Sequence, residues 1–126
     1  MQARRFLITG GSQGIGAALV ARARTAGHSV VFTGRDARAI EHVAAATGAF
    51  GFVADVGKAE DNALTVQACT SKMGGVDVLV NNAGYAYRGE IGALDVDAMC
   101  AVFETNVFGL VDLTNRIAPL MKAQAS

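Results

Sequence analysis

The chain has little of several residue types on which whole classes of protein depend. Its 126 residues include one proline, two cysteines and no tryptophan. Cys69 and Cys100 stand far apart and have no CxxC or histidine-rich surroundings, so neither a disulfide framework nor a zinc site is predicted, and no other metal site is expected. We expect both thiols to be reduced and buried.

Neither sign of charge prevails, and neither forms a block. Lysine plus arginine number 11, and aspartate plus glutamate also number 11. The sequence therefore lacks the electrostatic footprint of a protein that binds a nucleic-acid backbone or an anionic membrane. No run approaches the roughly 18 apolar residues of a membrane helix, and the N-terminus has no signal-peptide pattern. We expect no nucleic-acid or membrane partner and a cytoplasmic location.

Short apolar runs alternate with helical patterns along most of the chain. Strands are predicted at 6–8, 30–32, 50–54 and 76–80, and helices at 14–26, 37–46 and 59–73. The strand runs are continuous rather than alternating, which is typical of strands covered on both faces and hence of a parallel sheet. Strand, helix and strand repeated in this order require right-handed crossovers and predict an α/β layered fold.

The last segment is one long helical pattern from Asp95 to about Lys122. It is apolar on more than one face, so we expect it to pack against the sheet on one side and against another helix or subunit on the other. Pro119 is expected to kink this helix or to end it at about Ala118.

The stretch FLITGGSQGIGAAL, residues 6–19, breaks an apolar run with glycines and then resumes as a helix. The spacing is Gly10-x-x-x-Gly14-x-Gly16, between a predicted strand and a predicted helix. The first N–H groups of such a helix are unpaired, and with the helix dipole they form a phosphate site that bare glycine backbone lets a ligand approach. A tight turn without a ligand is the alternative reading.

Together, TGGSQGIG and the later DVLVNNAG make the sequence similar to the classical short-chain dehydrogenase/reductase family, from about Arg5 to Leu120. The resemblance implies the N-terminal half of a Rossmann-like, doubly wound parallel sheet with strand order 3-2-1-4 and helices on both faces. It also implies NAD(P)-dependent interconversion of a carbonyl and an alcohol by hydride transfer on a small-molecule substrate. By position, the residues implied to hold the pyrophosphate and adenosine end of the cofactor are Gly10, Ser12, Gln13, Gly14, Ile15 and Gly16.

The residues after the second strand bear on the choice of nucleotide. A dinucleotide site usually places an acid there for the ribose 2′-hydroxyl, or an arginine for a 2′-phosphate. Here Gly34 stands in place of the acid, and Arg35 follows with a planar fork suited to phosphate, which favours NADP(H) over NAD(H). The basic residue that family members often carry before the second glycine is missing, since that position is Gln13. Arg35 as a solvated loop residue is the alternative, and Asp36 is assigned to capping the next helix.

Two further motifs follow the third and fourth strands. The resemblance places Asp55 and Val56 on the adenine, whose edge presents a donor beside an acceptor. A cap on the strand end or on the following helix is the alternative for Asp55. It places Asn82, Ala83 and Gly84 near the adenine-side ribose, with a plain turn as the alternative.

Catalytic residues are sparse in the sequence. Asn106 matches a family asparagine that disturbs its helix and holds a water in a proton relay, and it is the one catalytic residue that the resemblance implies here. The family also uses a serine and a tyrosine with a lysine four residues later. Tyr85 is followed at that distance by Gly89 and Tyr87 by Ile91, so neither tyrosine matches.

We therefore expect residues 1–126 to be a single dinucleotide-binding domain, truncated before its fifth strand and inactive alone. A homo-oligomer through the helix from Asp95 is also expected. Two other readings stay open, namely a catalytically silent nucleotide-binding or interaction module and one part of a split enzyme.

Overall fold

The computed structural model describes residues 2–124, which form parallel strands with helices between them. In chain order the elements are β1 (Arg5–Ile8), α1 (Gly14–Thr25), β2 (Ser29–Gly34), α2 (Ala37–Thr47), β3 (Phe50–Val53), α3 (Ala59–Met73), β4 (Val78–Val80), α4 (Val96–Phe103), a π-helical segment (Glu104–Gly109) and α5 (Leu110–Gln124). The strands and the first three helices confirm the predicted elements with small differences at their ends.

The strands form one sheet in the order β3-β2-β1-β4, and every neighbouring pair is parallel. Leu7 of β1 lies opposite Val31 on one side and Leu79 on the other. The predicted α/β fold and its 3-2-1-4 order are therefore confirmed. Because β1 is central, the turn that leaves its carboxyl end has the ends of β2 and β4 on either side.

Successive residues of β1 enter two separate apolar layers. Ile8 packs with Val20 of α1 and Ile40 of α2 on one face of the sheet. Leu7 packs on the other face with residues of α3 and α5, among them Cys69 and Leu113. Both faces are covered, which is why the strand runs carry no polar alternation.

Aspartates cap the amino ends of two helices, and a left-handed glycine ends one of them. The Asp36 carboxylate accepts from the backbone N–H of Arg38 at 2.9 Å, so the predicted cap of α2 is confirmed. Gly48 closes the same helix in the left-handed conformation, with φ +77°. An aspartate also caps α4, where the Asp95 side chain accepts from Asp97 N–H at 3.0 Å.

One expectation about the C-terminal helical region is wrong. Pro119 lies inside α5, which continues to Gln124 rather than ending at Ala118. The helix is held past this proline because Leu113 and Ile117 are fully buried against the sheet, and the Gln124 side chain bonds both backbone groups of Val76. Tertiary packing here outweighs the hydrogen bond that proline removes.

The expectation for the cysteines is half wrong. Cys69 is buried in α3, where burial raises the pKa of its thiol to about 12. Cys100 is exposed because α4 contributes no buried residue to the core of residues 2–124. None of the helices within these residues is both long and apolar enough to cross a lipid bilayer.

An ion pair joins the amino ends of β1 and β4. The Arg5 guanidinium donates to both carboxylate oxygens of Asp77, at 3.0 and 2.8 Å, and the Arg5 backbone N–H donates to the same group at 2.8 Å. These bonds lower the pKa of Asp77 to about 2. The carboxylate therefore stabilises the fold above its unfolded pKa of about 3.9, and this contribution is lost as pH falls through about 2.

We expect Asp77→Asn to make the free energy of unfolding depend less on pH in the acid range. Between pH 4 and 2 the free energy of unfolding of the wild type should fall more steeply than that of the variant, as measured by urea denaturation at several pH values. Glu41→Gln, which removes an exposed carboxylate from α2, is the matched control. Parallel curves for the wild type and Asp77→Asn would show that the pair does not act in this way.

Candidate nucleotide-binding site

A cleft of about 350 Å³ opens at the carboxyl ends of the strands. The predicted site residues that line it are Gly10, Ser12, Gln13, Arg35, Asp55, Val56, Asn82, Ala83 and Gly84. Its other lining residues are Thr33, Gly34, Asp36, Ala54 and Thr105. Four predicted site residues are not in its lining, namely Gly14, Ile15, Gly16 and Asn106. The fold thus brings together residues from the ends of all four strands.

The glycine turn is built from close backbone approaches. Gly10 has φ +64°, and its carbonyl oxygen accepts from the Asn82 side-chain amide at 3.0 Å. A Cβ on Gly16 would lie 2.5 Å from that amide nitrogen and 2.8 Å from the Gly10 carbonyl carbon. Gly16 therefore lets α1 begin directly against the turn, although it does not reach the cleft.

The amino end of α1 is left without side-chain partners. Gln13, at the N-cap, makes no capping hydrogen bond, and the first turn has no acidic residue. Gly14 has φ +54° and open space where a Cβ would stand, while Ile15 is 76% exposed. Unpaired N–H groups with bare backbone beside them fit a phosphate, so these residues are suited to the pyrophosphate of a dinucleotide.

Thr9 organises the neighbouring strand end, and the sequence analysis missed it. Its hydroxyl accepts from the backbone N–H groups of Asn82 and Ala83, at 3.1 and 3.0 Å, and donates to the Val80 carbonyl at 3.4 Å. The residue is 1% exposed. A buried hydroxyl at the end of a central strand was the available signal, because such a group needs hydrogen-bond partners.

The far side of the cleft is shaped by Gly34 and Asp55. A Cβ on Gly34 would lie 2.5 Å from Ser12 Oγ, so a side chain at this position would have to displace the Ser12 hydroxyl. The Asp55 carboxylate accepts from Gly57 N–H at 2.8 Å, and its backbone N–H donates to the Asp61 carboxylate at 2.8 Å. Asp55 thus makes the hydrogen bonds of a cap at the strand end, which was the alternative interpretation of this residue. It also lines the cleft.

A buried side-chain amide holds the backbone carbonyl of Val56. Asn62 of α3 is 1% exposed and donates to the Val56 carbonyl at 2.9 Å. The same side-chain nitrogen donates to the Asp112 carboxylate of α5 at 2.9 Å. That hydrogen bond, with a smaller contribution from Arg116, lowers the pKa of Asp112. The third strand end and the two helices behind it are therefore joined through one side chain.

Asn106 lies within the π-helical segment, so the helix is irregular where the resemblance implies a disturbance. Its side-chain oxygen accepts from Tyr85 N–H at 3.1 Å, and its amide nitrogen donates to the Tyr85 carbonyl at 2.7 Å. Both ends of the amide are thus bonded to one residue of the loop after β4. The loop passes so close to Asn106 that a Cβ on Gly84 would lie 3.0 Å from the same oxygen.

Arg35 extends from the end of β2 toward that loop. The residue is exposed, and its guanidinium carbon lies 4.9 Å from the centroid of the Tyr85 ring. The ion pairs within residues 2–124 do not include Arg35. Its donors are therefore available to an anion at the cleft.

A parallel sheet in this order, with a glycine turn after β1 and a cleft along the strand ends, defines an α/β protein of the dinucleotide-binding class. Comparison with known proteins specifies the family. The family model for short chain dehydrogenase matches residues 4–126, and the chain belongs to this family of oxidoreductases.

Relatives of known name agree with this assignment. The chain is 35% identical over 127 residues to Oxidoreductase BOA17 of Botryotinia fuckeliana, covering 96% of this chain and 45% of the relative. It is similar to the crystal structure of 3-ketoacyl-(acyl-carrier-protein) reductase from Brucella melitensis complexed with NADH, with TM-score 0.93, 32% identity and coverage of 98% and 52%. L-sorbose reductase from Gluconobacter frateurii, complexed with NADPH and L-sorbose, matches with TM-score 0.85, 27% identity and coverage of 98% and 49%.

The chain thus spans about half the length of the relatives it matches, between 45% and 52% for these three. Structures in this family contain either nicotinamide dinucleotide, since one of the two carries NADH and the other NADPH. The fold and the cleft agree with both cofactors.

Proposed function

We propose that this chain is the nucleotide-binding part of an NADP(H)-preferring short-chain dehydrogenase/reductase that interconverts a carbonyl and an alcohol on a small-molecule substrate. The observation that carries the proposal is the convergence of the glycine turn, Asp55 and the segment Asn82–Gly84 on one cleft. The nicotinamide supplies or accepts the hydride when the dinucleotide is bound. Because the chain spans about half of its relatives, the reaction itself is part of the proposal.

Each part of the cleft has a proposed role. The N–H groups at the start of α1, around Gly14 and Ile15, receive the pyrophosphate. The Asp55 carboxylate and the Val56 N–H read the adenine edge, and Asn82, Ala83 and Gly84 support the ribose. Asn106 is proposed to act indirectly in the proton relay, since its own side-chain amide is bonded to Tyr85.

The preference for NADP(H) is supported by two features at the end of β2. The acid that would bind a free ribose 2′-hydroxyl is replaced by Gly34, whose missing side chain leaves space for the Ser12 hydroxyl. Arg35 follows, lines the cleft and pairs with no carboxylate within residues 2–124. A guanidinium fork binds phosphate through charge-assisted hydrogen bonds, which are stronger than neutral ones.

We expect Arg35→Ala to weaken NADPH binding roughly tenfold to a hundredfold and to leave NADH binding unchanged, because only NADPH carries the 2′-phosphate. Nucleotide fluorescence titrations measure both dissociation constants. Arg38→Ala is the control, since it removes an exposed arginine of α2 close to the same strand end. Equal affinity of the wild type for the two nucleotides, or an unchanged Arg35→Ala, would overturn the preference.

The apolar surface of α4 and the segments after it is proposed to join two copies of the chain. Val96 is 67% exposed, Phe103 53%, Phe108 59% and Val111 48%. An exposed apolar patch of this kind marks an interaction surface. We expect Phe108→Asp to reduce the apparent mass in light scattering. Leu64→Asp, which changes an exposed leucine of α3 outside this surface, is the control. A monomeric wild type would contradict the proposal.

A further inference from the structure

Tyr85 connects two parts of the candidate site that are far apart in the sequence. Its ring lies 4.9 Å from the guanidinium carbon of Arg35. Its backbone N–H and carbonyl are both bonded to the side-chain amide of Asn106, at 3.1 and 2.7 Å. The backbone that carries the ring is therefore held through both its N–H and its carbonyl. Tyr85 itself is half-buried.

The contact between Arg35 and Tyr85 crosses the sheet. Arg35 follows β2 and Tyr85 follows β4, and β1 lies between these strands. Strands two places apart are separated by roughly 10 Å, a gap that one short side chain cannot cross. The two long side chains therefore meet above the carboxyl end of β1, where the glycine turn begins.

The contact with the ring leaves hydrogen-bond donors of the guanidinium for other partners. A cation over an aromatic face is attracted by the electron density of the ring, whereas the five N–H donors of arginine lie in the guanidinium plane. The same group can thus contact Tyr85 and still present N–H donors to a phosphate. An exposed arginine without this contact would sample many rotamers, and ordering it would weaken binding.

We propose that Tyr85 is a positioning residue for nucleotide selection, which holds the Arg35 guanidinium at the mouth of the cleft for the 2′-phosphate. The inference rests on the proposed preference for NADP(H). It gives the loop after β4 a role in specificity, because the loop stabilises the arginine that reads the phosphate. The Asn106 amide supports that role by fixing the backbone from which the ring extends.

The test compares Tyr85→Leu with Tyr85→Phe by titration with NADPH and with NADH. Loss of the ring in Tyr85→Leu should weaken NADPH binding about threefold to fivefold, the effect of a single exposed cation–π contact, while NADH binding is unchanged. Tyr85→Phe keeps the ring and should stay within about twofold of the wild type. Added to Arg35→Ala, Tyr85→Leu should cause no further loss, because its effect acts through that arginine.

Two controls separate positioning from a general effect on the loop. Tyr87→Leu removes the other tyrosine of the loop, whose hydroxyl accepts from Asp95 N–H, and should leave the ratio of NADPH to NADH affinity unchanged. Tyr85→Trp keeps an aromatic face and introduces the chain's one tryptophan, so its folding and its selectivity are followed by fluorescence. It should retain the preference of the wild type.

Several results would overturn the inference. Equal weakening of both nucleotides in Tyr85→Leu would indicate a structural role only, and tighter NADPH binding would show that the ring competes with the phosphate for Arg35. Lost selectivity in Tyr85→Trp would also contradict it. A wild type without preference would overturn the proposed cofactor preference itself, whereas a preference as large in Tyr85→Leu as in the wild type would overturn the role of Tyr85 alone.

Discussion

Gly16→Ala is expected to destabilise the chain by about 3 kcal/mol or more and to abolish nucleotide binding. Overpacking a well-packed site typically costs about 1–3 kcal/mol, and this clash is with groups that cannot easily move. The added Cβ would lie 2.8 Å from the Gly10 carbonyl carbon, which is backbone, and 2.5 Å from the Asn82 side-chain nitrogen, which is hydrogen-bonded. Either α1 or the strand end must shift, and both shape the cleft.

Urea denaturation and NADPH titration measure the two effects of Gly16→Ala. Gly27→Ala is the matched control, since this glycine has φ +90° and nothing within 4 Å of an added Cβ. It should cost only about 1 kcal/mol, from the backbone conformation, and leave nucleotide affinity unchanged. A Gly16→Ala chain as stable as the control, with intact binding, would refute the role assigned to this close contact.

Thr9→Val is expected to destabilise the chain by about 1–3 kcal/mol and to weaken nucleotide binding. Valine has nearly the same shape, so the packing is kept and the hydroxyl alone is lost. Ala83 N–H would then lose its acceptor where Thr9 is 1% exposed, and Asn82 N–H would keep only its 3.1 Å bond to the Val80 carbonyl. An unsatisfied buried donor costs about 1–3 kcal/mol. The segment that lines the cleft after β4 is expected to move as a result.

Thr9→Ser tests whether the hydroxyl or the methyl group matters. Serine keeps the oxygen that accepts both N–H groups and removes one methyl group, at a cost of about 1 kcal/mol. We expect nucleotide affinity close to that of the wild type in Thr9→Ser and clearly lower affinity in Thr9→Val. If the two variants lose affinity equally, the hydroxyl does not organise the strand end.

Much of the fold could be predicted because its signals are local. Asp36 stands one residue before a helix, where its carboxylate reaches the first N–H groups, and this cap is confirmed. Continuous apolar runs separated by helical patterns indicate a parallel sheet, and the strand order agrees. The turn after β1 could be predicted because its backbone conformation depends on the glycines themselves, whereas the cofactor contacts of its residues came from the family resemblance.

The features that could not be predicted depend on contacts between distant residues. The continuation of α5 past Pro119 depends on core packing and on Gln124, which bonds Val76 at a distance of 48 residues. The hydroxyl of Thr9 acts on a segment more than 70 residues away. Neither interaction can be inferred from local propensity, so an analysis of short sequence segments does not find them.

The contact of Arg35 with Tyr85 is a similar case. The sequence analysis assigned Arg35 to the 2′-phosphate and considered Tyr85 only as a tyrosine without a lysine four residues later. Their proximity follows from the strand order, because β2 and β4 are both neighbours of β1. The rotamers that bring the ring and the guanidinium together depend on side-chain packing, which a sequence pattern does not reveal.

The most direct measurement is a titration of 15N-labelled chain with NADPH, followed through the backbone amide signals. Binding in the cleft predicts large shifts for the amides at residues 10–16, at Arg35, at 55–56 and at 82–84. It also predicts saturation at lower concentration than with NADH, and small shifts at the opposite ends of the strands, around Arg5 and Asp77. An NADPH titration that leaves the cleft amides unchanged, or shifts mainly those around Arg5 and Asp77, would contradict nucleotide binding at this site.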